Sequence, residues 1–266
     1  MLLASFFGVA MGLVLGLTGA GGGILAVPAL VLGLGLTMTQ AAPVALFAVG
    51  SAAAVGAIDG LRHGLVRYRA ALLIALLGAV FSPLGIFLAH QLPEKILMIL
   101  FSLLMVLVAA RMLRRETPQP GPSDHGAASW GQKNCMLDRQ TGRLAWTPRC
   151  TATLAALGAV TGVVSGLLGV GGGFLIVPAF KQLTDVQMRG IVATSLMVIS
   201  LISLIGVAGA FHAGVRIDQV GAGFIVASIV GMVLGRRLAS RVPARVLQVG
   251  FAGVCLGVAV YMWVRA

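Results

Sequence analysis

Hydrophobic positions gather into ten runs, at about 2–18, 24–36, 41–59, 70–90, 94–113, 151–168, 174–183, 190–210, 218–236 and 244–264. Most approach 20 residues with few or no charges, the length that crosses about 30 Å of hydrocarbon. Polar positions gather into one long stretch, 114–149, with Pro118, Pro120, Pro122 and many of the charges. The pattern predicts an all-α polytopic membrane protein in three parts: a first transmembrane repeat over 1–113, a cytoplasmic linker over 114–149, and a second transmembrane repeat over 150–266. Within the linker, 136–146 reads as a small hairpin turning at Thr141-Gly142. The first run is apolar from Met1, lacks a basic leader and runs into a glycine turn that recurs later, so it is expected to belong to the fold.

The two halves repeat. A shift of 150 residues, with no gap, superposes Gly12 on Gly162, Leu46 on Leu196, Gly56 on Gly206, Gly64 on Gly214, Gly85 on Gly235, Pro93 on Pro243 and Phe101 on Phe251. Internal duplication is a mark of secondary transporters. With five segments per half the second half is inverted. An outside N-terminus then puts 16 basic residues inside, from Arg62 to Arg245, and leaves Lys95, Arg216 and Arg265 outside. Four crossings per half, hence parallel repeats, divides the same residues 12 to 7. The positive-inside bias favours inversion, with both termini outside the inner membrane and the linker within the cell.

The densest signal is doubled. Gly16–Pro28 reads GLTGAGGGILAVP and Gly166–Pro178 reads GLLGVGGGFLIVP. The arms on either side of each turn are short for full crossings. They are expected to form re-entrant or broken helical hairpins, one per repeat, each followed by three transmembrane helices, with the two turns meeting near the midplane. Irregular backbone at that depth survives only where protein or water satisfies it. Amides opening a second arm are donors at the positive end of a helix dipole, suited to a small anion. The candidate solute-binding residues are Gly19, Gly21, Gly22, Gly23 and Ile24, with Gly169, Gly171, Gly172, Gly173 and Phe174. Pro28 and Pro178 are expected to bend each second arm or free a carbonyl. Close helix packing is the plainer use of glycine in a membrane.

The doubled G-x-x-G-x-G-G-G-x-x-x-x-P, with the later Ala193-Thr194-Ser195, resembles the TauE/SafE family of sulfite exporters and toluenesulfonate uptake permeases. The resemblance covers nearly the whole chain outside 114–149. It implies a membrane transporter of sulfite, sulfonates and related small sulfur or organic anions.

Thr194 and Ser195 either bond back to their own helix or donate to solute oxygens. Their first-half counterparts, Val44 and Ala45, have no hydroxyl, so such a site is asymmetric. Gln40, more at home at the interface, is a further candidate, and Pro43 is expected to break or kink its helix. Ser51, Ser82, Ser200 and Ser203 read as structural, with Ser82-Pro83 marking a kink. Asp59 reads as an interfacial residue paired with Arg62. His63, His90 and His212 read as interfacial too.

Composition adds limits. Hydrophobic residues make up 59% and charged residues 10%, far from the roughly 25% charged of a soluble globule, and the mean hydropathy is +1.03. The net charge of +12 therefore reads as cytoplasmic-loop bias rather than as a nucleic-acid surface. Cys135, Cys150 and Cys255 show neither CxxC nor metal spacing and are expected as unpaired thiols. No nucleophile–base pair, metal cluster or Walker motif occurs, so no enzyme activity, cofactor or metal is expected. The expected partners are a small anion and the bilayer, with a homo-oligomer left open. The function expected is alternating-access anion transport; a carrier of another small solute, or a membrane scaffold or enzyme subunit, are the alternatives.

Overall fold

The computed structural model describes residues 2–19, 22–113, 135, 147–184, 188–212, 218–238 and 244–265. These form α1 (Leu2–Thr18), a single 3-10 turn (Gly22–Leu25) leading into α2 (Ala26–Leu34), α3 (Met38–Arg62), α4 (Tyr68–Gln91) and α5 (Glu94–Leu113). The second half supplies α6 (Pro148–Leu168), α7 (Gly173–Leu183), α8 (Met188–His212), α9 (Gln219–Leu238) and α10 (Ala244–Arg265). Ten helices fall on the ten apolar runs, and the chain is an all-α, multi-pass membrane protein. The hairpin expected within 136–146 lies outside the described residues.

Local chemistry sets the helix ends. Thr37 and Gln40 form a capping box at the start of α3, satisfying two of its orphan amides reciprocally. Thr147 accepts from the Cys150 amide at 3.2 Å, and Pro148 opens α6 where its missing N–H costs nothing. Gly35 and Gly169 close α2 and α6 in the left-handed conformation. Pro43, expected to break or kink its helix, sits inside α3, which continues through it to Arg62. The same holds for Pro83 in α4.

Length separates the helices into two kinds. The 25 residues of α3 and of α8 reach roughly 37 Å, enough to cross the hydrocarbon. The 9 residues of α2 and 11 of α7 reach only roughly 14 and 16 Å.

The most extensive packing runs between the halves. α1 lies along α9, and α6 along α4; α3 packs on α8 and α9, α4 also on α8, and α5 on α10. Exchanging the halves by the 150-residue shift maps this set of pairings onto itself. Glycines make the close approaches. A Cβ on Gly8 would lie 2.6 Å from the Phe224 carbonyl oxygen, and one on Gly16 2.6 Å from that of Met232. Gly158 meets Ile74 in the same way at 2.7 Å, and Gly166 meets Ser82. Ascending numbers on both members make α1 and α9 parallel, as are α6 and α4. By contrast α3 and α8 are antiparallel: Gly50 abuts Ser203, Gly56 abuts Leu196 and Gly60 abuts Ala193. The outer surface carries bare apolar side chains such as Val80 (70% exposed) and Phe87 (62%), as lipid contact requires.

Two cysteines depart from expectation. Cys135 and Cys150 form a disulfide, with their Cα atoms 5.0 Å apart, and only Cys255 is free. The spacing of 15 residues carries no signal. The pairing arises because the Cys135 amide donates to the Leu183 carbonyl at 3.1 Å, beside an isolated bridge to Thr184. Cys135 thus joins the start of α6 to the end of α7.

Candidate solute site at the glycine turns

The two glycine turns meet. A Cβ placed on Gly23 would stand 2.9 Å from the Val170 carbonyl oxygen and 3.1 Å from Val49 Cγ1; one placed on Gly171 would stand 3.3 Å from the same Val49 atom and 3.1 Å from Ile199 Cγ2. Gly23, Val170 and Gly171 are buried. The turns therefore abut between α3 and α8, the two long helices that cross at the centre. Each turn also leans on the opposite half: Gly19 packs on Val192 at the start of α8, and Gly169 on Ala42 at the start of α3.

The turns differ in detail. In the second, Gly169, Gly171 and Gly172 all have positive φ, at 70°, 74° and 66°, a conformation that glycine adopts without a Cβ penalty. Gly172 then caps α7, and the Leu175 amide donates to its carbonyl at 3.1 Å. Gly173 and Phe174 open that helix, where amides have no partner within the helix. Pro178 lies inside α7 and withholds a bond from the Phe174 carbonyl. In the first, Gly19 has φ 76°, Gly22 to Leu25 wind as a 3-10 turn, and Ile24 is fully buried. Pro28 is the third residue of α2, within the first turn, where its missing N–H is an orphan in any helix. Gly21 lies outside the described residues.

Gly22 and Gly172 face their own first arms rather than the gap between turns. A Cβ on Gly22 would meet Leu15 Cβ at 2.6 Å, and one on Gly172 the Thr161 carbonyl at 3.1 Å. Gly16 and Gly166 are seam glycines of α1–α9 and α6–α4. One motif thus serves both the plain packing use and the turn.

The polar candidates separate. Ser195 is buried; its Oγ donates to the Val192 carbonyl at 2.8 Å and reaches the Gly19 carbonyl at 3.5 Å, on the first turn. Thr194 bonds back to the Gly190 carbonyl at 2.7 Å and accepts the Arg67 amide at 3.0 Å, clamping the α3–α4 loop. Gln40 is exposed and occupied at the α3 cap. Asp59 is paired not with Arg62 but with Arg236, whose Nη2 lies 2.6 Å from Asp59 Oδ2 while its Nη1 donates to the Gly56 carbonyl at 2.6 Å. His63 Nδ1 stands 3.5 Å from Asp59 Oδ1. This cluster ties the end of α3 to the end of α9. Spacing within one helix suggested Arg62; the parallel seam of α1 and α9 beside α3 brings Arg236 instead.

A family model described as "Sulfite exporter TauE/SafE" matches residues 4–262. Two relatives from Xylella fastidiosa, in strains 9a5c and Temecula1 / ATCC 700964, are each described as "Probable membrane transporter protein". They are 31% identical over 255 and 261 residues, covering 95% of this chain and 90% of theirs. No solved structure matches the chain. A match over nearly the full length, on a multi-pass helical body built around the doubled glycine motif, settles the lineage: the chain belongs to the TauE/SafE family and is a membrane transporter.

Proposed function

We propose that the protein is a secondary transporter of small anions, sulfonates, sulfite or related sulfur oxyanions, working by alternating access about the paired glycine turns. The observation that carries this reading is the meeting of Gly23 with Val170 and Gly171 beside Val49, between α3 and α8. Amides at the start of α7 and along the 3-10 turn supply donors without a buried cation, and Ser195 lies on the first turn. The two halves act as inverted repeats, a reading supported by the antiparallel lie of α3 and its counterpart α8. α1–α2 and α6–α7 act as re-entrant hairpins, supported by the shortness of α2 and α7. A neutral or cationic solute is the second reading, favoured by the Val170 carbonyl, an acceptor facing Gly23. The test is proteoliposome uptake of radiolabelled taurine and sulfite. Saturable uptake competed by other sulfonates is expected; no uptake of any anion, with uptake of a neutral or cationic solute, turns the assignment to the second reading.

The basic residues favour an inner-membrane orientation with the linker inside and both termini outside. A disulfide belongs to oxidising compartments, so the two signals conflict at Cys135–Cys150, and the larger charge asymmetry decides for the inside. In cells, the two thiols are then reduced and react with an impermeant maleimide only after permeabilisation. Protection from alkylation until a reductant is added to intact cells reverses the orientation.

A further inference from the structure

Serines and threonines buried in these helices mostly satisfy their hydroxyls on their own backbone. Thr161 bonds to Leu157, Thr194 to Gly190, Ser195 to Val192 and Ser228 to Ile225, each at 2.7–2.8 Å. Ser203 does not. Ser203 is 1% exposed and its Oγ has no hydrogen-bond partner, a state it shares with Ser165 Oγ on α6, which unlike the Ser203 hydroxyl is not a nearest neighbour of either glycine turn. An unmade bond at a buried hydroxyl is costly because the group has given up water without gaining an acceptor, so its persistence calls for an explanation.

Its position supplies one. Ser203 faces α3 at Gly50, where an added Cβ would stand 2.5 Å from Ser203 Cβ and 3.3 Å from its Oγ. On the other side, a Cβ on Gly171 would stand 3.4 Å from the same Oγ. The hydroxyl thus sits where the second glycine turn meets the crossing of α3 and α8, beside the Val49 that touches both turns. Gly50 and Gly171 flank it without side chains, and α7, whose positive end is at Gly172–Gly173, begins two residues after Gly171. The 150-residue counterpart of Ser203 is Ala53, so the donor comes from one half only.

We propose that Ser203 is a solute-binding residue whose hydroxyl donates to an oxygen of an oxyanion seated at the glycine turns. This rests on the transport reading above for the place of the site, but it is separable from that reading by experiment. Binding gives the hydroxyl the acceptor it lacks, and loss of one such bond is expected to weaken affinity about tenfold.

The test uses full-length protein in proteoliposomes, with Cys135, Cys150 and Cys255 replaced. Cysteine is introduced as Ser203→Cys or, for comparison, Ser228→Cys, a buried serine already bonded to the Ile225 and Ala48 carbonyls. The probe is the anionic sulfonatoethyl methanethiosulfonate, with unreactive methanesulfonate as competitor. Modification of S203C at least about tenfold faster than S228C, slowed by methanesulfonate, is expected. Modification as slow as S228C, or indifferent to methanesulfonate, overturns the assignment. If S203C does not fold, Ser203→Ala decides: the methanesulfonate-induced rise in melting temperature is expected to shrink, and an unchanged rise overturns the proposal. Wild-type protein that takes up no anion, alongside fast and protected labelling of S203C, ends the transport reading and leaves the Ser203 contact standing.

Discussion

At the scale of single residues, the turns distinguish positions that share a letter. Gly23 points at the opposite turn, Gly22 at its own first arm, and Gly16 at α9. Gly23→Ala is therefore the cleaner probe of the junction: its Cβ must push the Val170 carbonyl away from 2.9 Å without striking the α1 backbone. Uptake is expected to fall at least fivefold with a change of only a few degrees in melting temperature, measured on the same preparation; normal uptake reduces the turns to packing devices. Thr194→Val installs what the first half carries at Val44 and removes the bond to the Arg67 amide. Its effect is expected on stability, a loss of about 1–3 kcal/mol by thermal unfolding, because a buried amide loses its acceptor. The glycine motif and the Thr-Ser pair were legible in the sequence as candidates. Which of two adjacent hydroxyls meets a turn was not, since both sit on one helix and only the crossing with α3 decides. Ser203 reads as structural in the sequence because a lone serine among apolar neighbours has no periodic signal; its missing bond exists only in three dimensions.

At the scale of elements, hydrophobic runs located the helices well because span length is imposed by the bilayer rather than by local propensity. Seams were less legible. Glycines along α1 and α6 read equally well as lipid-facing or helix-facing, and small residues let helix backbones approach only when a partner is there. Gly162 and Gly257 make the contrast testable. A Cβ on Gly162 would strike the Gly78 backbone of α4, whereas one on Gly257 in α10 meets open space. Gly162→Ala is expected to destabilise by about 1–3 kcal/mol through overpacking. Gly257→Ala is expected to be neutral or to stabilise by up to about 1 kcal/mol, since alanine is the better helix former. Equal thermal stability of the two variants in detergent would contradict the seam.

At the scale of the whole molecule, the 150-residue register in glycines and prolines has its counterpart in the pairings, which map onto themselves when the halves are exchanged. Duplicated segments inherit matching small faces, so partners recur in matching places. The disulfide was illegible for the opposite reason. It joins the linker at Cys135 to the start of the second half at Cys150, and the 150-residue shift gives neither cysteine a counterpart. It depends on where α7 ends in space, which no local pattern states.

The cluster of Arg236 with Asp59 is likewise one-sided: the positions related to them by the shift are Ile86 and Gly209. A carrier whose two facing states arise by exchanging the shapes of its halves has equal resting populations only if its two ends close with equal strength. Here the Arg236–Asp59 ion pair at one end has no charged counterpart at the shift-related positions, Ile86 and Gly209. The pair is partly solvated, with 27% and 46% of the side chains exposed, so it contributes at most about 1 kcal/mol, a bias of roughly fivefold. Under the alternating access proposed above, the two half-cycles then run from unequal starting levels. Arg236→Gln is expected to shift the ratio of initial uptake rates in oppositely oriented vesicles by up to about fivefold. High salt is expected to move the unaltered protein in the same direction, and to leave the variant where it stands.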